Sequence, residues 1–301
     1  MWIVANKALP SDDTSAVRLL SLRLRILVLC FGTMNSCRPM TPQDRTTHQD
    51  EEEVVALNNP AMLLRSTCSN CNLRESCLPT GLTLKEIERL EELVTGNRRR
   101  IKRGESLFRA GDRFDTLYAV RLGFLKSTVM SSDGREQVTN FFMAGEMIGF
   151  DGISSGVHSC DVTALEDTEV CVINYDKFEE AATSMRSMGA HVLKMLSREI
   201  VRQHGVMLLL GSMHAEERLA AFLLSLSQRF EQRGYSRSEF VLRMTRAEIG
   251  SYLGLKLETV SRVLSRFSHD GLIEVNQKHV RIFDAEGLRA IVSGVPLSEQ
   301  R

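Results

Sequence analysis

The chain has no excess charge of either sign, since 38 Lys and Arg are matched by 38 Asp and Glu over 301 residues. Any affinity for nucleic acid must therefore come from a local patch, and coating of DNA by a polycation is excluded. Long hydrophobic runs are also missing. The longest, residues 26–31, follows Arg18, Arg23 and Arg25 and is far too short to span a bilayer. No small-residue cleavage pattern stands behind residues 19–37, so that stretch reads as an unstructured leader in preference to an export signal. The seven cysteines, an odd number, are Cys30, Cys37, Cys68, Cys71, Cys77, Cys160 and Cys171. They do not make a secreted disulfide framework, and a reducing cytoplasm fits them better. With 43% hydrophobic and 25% charged residues, disorder throughout is excluded, and the length admits two compact domains plus extras.

Residues 38–60, with Pro39, Pro42, Pro60 and the acidic run 50–53, carry too little apolar surface to offset the entropy of ordering. Residues 1–60 are thus expected to be a disordered extension. A start codon set too far upstream gives the same appearance, with Met34, Met40 or Met62 as alternative first residues. A cysteine-bearing loop, 61–81, follows and is closed by Pro79 and Gly81. Residues 82–94 read as an amphipathic helix with Thr83 and Glu86 spaced as a capping box and Leu84, Ile87, Leu90 and Leu93 on one face. From Ile101 to Asn174, glycines 104, 111, 123, 134, 145 and 149 punctuate the β-prone runs 116–120, 124–130, 137–142 and 169–173. The expectation for 82–180 is an antiparallel β-barrel or roll.

The period changes after Asn174. Leu193, Leu196, Ile200, Gln203, Met207 and Leu210 recur at steps of three and four, which describes a coiled-coil seam within a helical segment, 181–213. A core helix packed on its own domain gives the same stripe. Gln203 favours a homodimer, because one polar residue in an apolar seam sets register between helices. Residues 214–301 open with Leu219, Phe222, Leu223, Leu226 and Phe230 on one helical face, stopped by Gly234.

Residues 245–267 carry the signature of a helix-turn-helix. Thr245 caps a first helix, Gly254 permits the turn, and a second helix runs over 257–267; Gly250 allows close crossing, and Ile249, Leu255, Val260 and Leu264 form the shared core. Glu258, Ser261 and Arg262 fall on the outer face near the start of the second helix. Their chemistry suits base edges: Arg262 for guanine, Glu258 for cytosine N4, Ser261 for either partner. The alternative is a solvated face with an incidental Glu to Arg pair at i,i+4. A β-hairpin wing is expected over 271–283, and Arg246, Lys256, Arg266, Lys278 and Arg281 surround the element where phosphates would lie.

Cys68, Cys71 and Cys77 stand as C-x2-C-x5-C with no histidine among them, and clustered thiolates select zinc or an iron–sulfur cluster. Taken alone, a zinc staple is the commoner use of such a cluster. A fourth ligand must come from elsewhere, with Cys171 on a strand or Cys160 just before one as the candidates.

The stretches C-S-N-C-N-L-R-E-S-C, G-E-S-L-F-R-A-G-D, A-E-E-R-L-A-A-F-L and L-E-T-V-S-R-V-L-S-R-F together resemble the FNR group (fumarate and nitrate reduction regulators) of the cyclic-AMP receptor protein superfamily, from Cys68 to about Asp284. The resemblance implies an α+β fold: a cyclic-nucleotide-binding-like β-roll, a long dimerisation helix and a C-terminal winged helix-turn-helix. It further implies a [4Fe-4S] cluster on Cys68, Cys71, Cys77 and Cys171, with Cys160 a structural thiol. Glu258, Ser261 and Arg262 would then read a TTGAT-like half-site of a palindromic operator in double-stranded DNA, with no catalysis. RNA polymerase is an expected partner, through surface loops such as 132–135, although an ordinary hairpin turn accounts for that loop equally well. Two departures stand out. His158 and Ser159 occupy the roll stretch where cyclic-AMP-binding relatives carry an Arg-Ser pair, so a cyclic phosphate lacks its guanidinium partner. Gln203 is neutral where relatives can carry an acid, which would let the chain pair without its cluster. The rivals are a cyclic-nucleotide-dependent activator with structural zinc and a redox or electron-transfer protein.

Overall fold

The computed structural model describes Cys68, Cys71, Leu73, Cys77 and residues 82–94 and 98–294. The expected leader, the acidic run, Cys30, Cys37 and the alternative first residues lie outside the described residues, as do residues 295–301.

The first helix, α1 (Leu84–Val94), starts where its capping box places it: Glu86 N–H donates to Thr83 Oγ1 at 3.4 Å and Thr83 N–H to Glu86 Oε2 at 2.8 Å. Its Ile87 and Leu90 are buried. The roll consists of β1 (Arg98–Ile101), β2 (Ser106–Phe108), β3 (Thr116–Leu122), β4 (Phe124–Met130), β5 (Glu136–Met143), β6 (Met147–Ile148), β7 (Asp161–Ala164) and β8 (Thr168–Asn174). These form two antiparallel four-stranded sheets, ordered β1-β8-β3-β6 and β2-β7-β4-β5. Ile101, Val120, Ile148 and Val170 from the first sheet meet Leu107, Leu125, Val162 and Ala164 from the second in one buried core.

Two helices follow the roll. The short α2 (Tyr175–Ser184) is capped by Asn174, whose side chain accepts from Lys177 N–H, and it buries Phe178 and Ala181. Sequence periodicity alone did not separate it from the long helix. That helix, α3 (Arg186–Ser212), has 27 residues, about 40 Å of rise. Only Met188 and Leu209 in it are buried. Among the described residues no helix is long and apolar enough to cross a membrane.

The C-terminal part comprises α4 (Ala215–Glu231), β9 (Glu239–Val241), α5 (Arg246–Leu253), α6 (Leu257–His269), β10 (Ile273–Asn276), β11 (His279–Ile282) and α7 (Ala285–Val292). The expected hairpin wing is present, but β9 adds a third strand beside β11 and α7 closes the module, two elements that local sequence signals did not reveal. Leu219, Leu223 and Leu226 of α4, Ile249 and Leu253 of α5, Val260 and Phe267 of α6, and Leu288 of α7 share one core. The chain is thus an α+β protein with a β-roll, a long helix and a winged helix-turn-helix.

Candidate nucleic-acid interface and cysteine centre

The reading element is built by local chemistry. Thr245 Oγ1 accepts from Glu248 N–H at 3.2 Å, and Glu248 Oε2 accepts from Thr245 N–H at 2.7 Å. Burial pushes the Glu248 carboxyl up, but the Thr245 hydrogen bonds and Lys126 outweigh it and hold the group below the ordinary carboxylate range. Gly254 sits at φ 64°, the left-handed conformation that ends α5. A Cβ on Gly250 would stand 2.6 Å from the Leu255 carbonyl oxygen, so only glycine lets the turn fold back this closely. Ile249, Val260 and Leu264 are buried and Leu255 packs beside them, as expected; Val263 and Phe267 also belong to this core.

On α6, Glu258 and Arg262 are exposed. Among the described residues they make no ion pair with each other, so the incidental i,i+4 pair is not what occupies this face. Ser261 differs from the expected fully exposed position. It is half-buried, because Arg246 at the start of α5 lies over it with Nη1 at 3.2 Å from Ser261 Oγ. Lys256 is exposed. Arg266 is engaged within the chain, 2.5 Å from Glu216 Oε1 and 3.8 Å from Asp270, so part of its charge is spent internally. Lys278 donates to the Arg243 carbonyl, and Arg281 lies 3.7 Å from Glu239 and over the Phe283 ring.

The module docks on the roll through contacts far apart in sequence. Val138 N–H of the edge strand β5 donates to Ser251 Oγ at 2.9 Å, Lys126 reaches Glu248 at 3.2 Å, and Tyr252 packs between Phe141 and Phe222. Arg229 and Arg233 of the α4 end both grip Glu146. The turn 131–135 between β4 and β5 is exposed and braced by an Asp133–Arg135 pair at 2.7 Å.

The cysteines separate into two groups. Cys171 lies on β8 opposite Arg98 of β1 and Ala119 of β3. Cys68, Cys77 and Cys171 pack against one apolar cluster with Phe114, Leu117, Phe178, Met185 and Met188. Burial, followed by repulsion from Cys171, Glu91 and Cys71, pushes the Cys68 thiol up to about 11. Cys77 rises to about 12, again by burial first and then by the charges of Cys71, Cys171 and Cys68. Cys171 is also raised, chiefly by burial, with Arg98 opposing. Cys68, Cys77 and Cys171 are thus all held toward the neutral thiol, chiefly by burial, with Arg98 opposing at Cys68 and Cys171. Among the described residues no group of three or more His, Cys, Asp or Glu side chains stands within metal-gripping reach. Cys160 is elsewhere: it packs on the core between the sheets, donates to Asp151 at 3.6 Å, and is pushed up to about 12 by burial and that carboxylate. Of the two candidates for a fourth ligand, the fold brings Cys171 to the loop.

At the tip of the roll, His158 is buried, stacked on Phe108 at 3.6 Å and edge-on to Phe114. Asp151 sits 3.3 Å from its Nδ1 and also accepts from Ser159 N–H at 2.7 Å. Asp151 thus ties the His158 ring to the Ser159 backbone.

The seam residues of α3 divide. Leu193, Ile200 and Met207 are exposed, together with Val201 and Leu208. Leu196 and Gln203 are half-buried, and Gln203 Nε2 donates to Glu199 Oε1 at 2.6 Å. Leu210 departs from the expected seam, because it packs partly on the winged module and its carbonyl accepts from Arg218. Leu210 is therefore partly covered by the chain itself, while Met207 stays exposed.

Residues 98–184 match the cyclic nucleotide-binding domain family and residues 217–291 the Crp-like helix-turn-helix domain family. The chain is 46% identical to the transcriptional regulatory protein btr of Bordetella pertussis, over 75% of this chain and 93% of that protein. It is 43% identical to the transcriptional activator protein Anr of Pseudomonas protegens, over 75% and 93%. With the fumarate and nitrate reduction regulatory protein of Escherichia coli K12 it shares 40% identity over 73% and 88%. The solved structure of FixK2 from Bradyrhizobium japonicum superposes with a TM-score of 0.60 at 28% identity, covering 65% of this chain and 96% of that one. A capped helix-turn-helix with a wing, a long helix and a roll in this order, with relatives of this similarity, place the chain in the CRP/FNR family of DNA-binding transcriptional regulators, which are not enzymes.

Proposed function

We propose that this protein is an oxygen-responsive cytoplasmic regulator of anaerobic gene expression. In this reading it binds TTGAT-like palindromic operators as a homodimer while a [4Fe-4S] cluster is held by Cys68, Cys71, Cys77 and Cys171. The observation that carries the reading is the packing of Cys68 and Cys77 with Cys171 on the apolar cluster that also seats Met185 and Met188, at the start of α3. When bound, such a cluster supplies an oxygen-labile, thiolate-held group. The rest is done by the chain. A loop fixed against β8 fixes α1, whose Glu86 Oε1 accepts from Ser187 of α3 at 3.0 Å, and so sets where the long helix begins.

The exposed stripe of α3 supports pairing of two copies through Leu193, Leu196, Ile200, Gln203 and Met207, with Leu210 at the margin. Each large apolar side chain buried there contributes roughly 1.5–3 kcal/mol. A sensor acting on that equilibrium by about 1–3 kcal/mol changes operator occupancy usefully. Pairing brings two α6 helices to successive major grooves, where Glu258, Ser261 and Arg262 meet base edges and Lys256 and Arg246 the backbone, with Arg266 joining where Glu216 releases it. Half-sites one helical turn apart follow from the two-fold axis. RNA polymerase would meet the surface loops, including 132–135. The filled roll tip at His158 and Asp151 speaks against cyclic-nucleotide control.

The test is to purify the protein without air, assay iron and acid-labile sulfide, and compare operator binding before and after aeration. Iron and sulfide near four each per chain, with binding lost in air, is the expected result. Zinc alone, or unchanged affinity in air, overturns the reading.

A further inference from the structure

Beyond any phosphate it meets, Arg246 is placed on a base-reading side chain. It is the first residue of α5, and the carboxylate nearest to it in sequence is already engaged: Glu248 Oε2 accepts from Thr245 N–H and Oγ1–H at 2.7 and 2.9 Å, while Oε1 faces Lys126 Nζ at 3.2 Å. Among the described residues the guanidinium has one polar partner, Ser261 Oγ, 3.2 Å from Nη1. A guanidinium has five donors and no acceptor, so Ser261 Oγ must be the acceptor and its own hydrogen must turn elsewhere. Ser261 lies on α6 between the exposed Glu258 and Arg262 in sequence.

We propose that Arg246 is a positioning residue for sequence specificity, holding Ser261 as a hydroxyl donor. A hydroxyl free to rotate accepts or donates and so tolerates any base edge. One whose oxygen already accepts from a cation has one of its two lone pairs occupied, which biases it toward presenting its hydrogen to thymine O4 or the N7 and O6 of a purine over accepting from the cytosine amino group. This inference rests on the reading of α6 as the groove-facing helix. A plain phosphate contact by Arg246 makes a different prediction, because it would weaken every sequence alike.

The test is selection from a randomised duplex pool, with the full chain prepared without air, for wild type, R246M, R246Q, S261A and the R246M/S261A double variant. R246M is expected to lose discrimination, roughly five- to tenfold, at the same base pair of each half-site that S261A loses. The double variant should lose no more than either single one. R246Q, whose amide still donates to Ser261 Oγ, should keep part of the preference, and it guards against misreading a folding defect in R246M. A uniform loss for R246M with an unchanged sequence profile and a salt slope reduced by about one overturns the proposal, as do losses that add at separate positions. A recovered half-site unlike TTGAT removes the operator assignment, while the shared position still decides the role of Arg246. Enrichment of no sequence by wild type overturns both.

Discussion

The winged module and the cysteine-bearing end of the molecule are finished to different degrees. In the module α5 and α7 start on the side-chain caps Thr245 and Asp284, and the core from Leu219 to Leu288 is closed within one chain. At the other end, Cys68, Cys77 and Cys171 are half-buried on an apolar cluster, and the long helix beside them leaves Leu193, Ile200 and Met207 at 70%, 55% and 61% exposure. The helix-turn-helix is therefore preorganised within the chain, whereas the cysteines and the stripe of α3 are the surfaces that the proposed function assigns to a bound group and a second copy. This division suits a switch, because regulation then acts on assembly and leaves the base-reading geometry unchanged.

The sharpest way to break the contrast is at the cysteines. Cys77→Ser should abolish retention of iron and sulfide altogether, whereas Cys160→Ser, a change in a thiol bonded to Asp151, should leave both intact by colorimetric assay. Equal loss in both variants would erase the distinction between the two groups. Next in size, Arg262→Ala should cost about 1–3 kcal/mol at each half-site in operator titrations, with the visible absorption of the protein unchanged. Ile200→Glu places a charge in the exposed stripe, and sedimentation velocity should then show monomer at concentrations where wild type is a dimer, a shift worth roughly 1.5–3 kcal/mol. If the variant pairs normally, α3 is not the seam. Smallest, Gly250→Ala should lower the stability of the reading module by about 1–3 kcal/mol, seen as a lower Tm, since its Cβ would meet the Leu255 carbonyl, which belongs to backbone that cannot swing aside.

Legibility in the sequence followed the range of the interactions. Thr83, Thr245 and their partner glutamates announce helix starts because both halves of each capping box lie within three residues. Glycines 250 and 254 mark the turn for the same reason. Arg246 and Arg266 carry no such signal. Their partners, Ser261 and Glu216, lie 15 and 50 residues away, so spacing alone made both look like free cations awaiting phosphate. The separate helix α2, the strand β9 and the helix α7 escaped notice because each is short and owes its existence to a cap or to a distant strand or core.

By itself the chain of letters determined the local grammar: a glycine-punctuated β segment, a long amphipathic helix, a capped helix-turn-helix and a tight group of three cysteines. Those features depend on neighbours a few residues apart, where backbone preference and side-chain period dominate. Only tertiary structure decided which distant cysteine faces the loop, which arginines are already occupied, that Leu210 is covered by its own module while Ile200 is bare, and that the roll tip is filled by His158 and Asp151. These outcomes depend on pairing across a sheet and on packing between elements, where one residue of register changes the partner of every side chain.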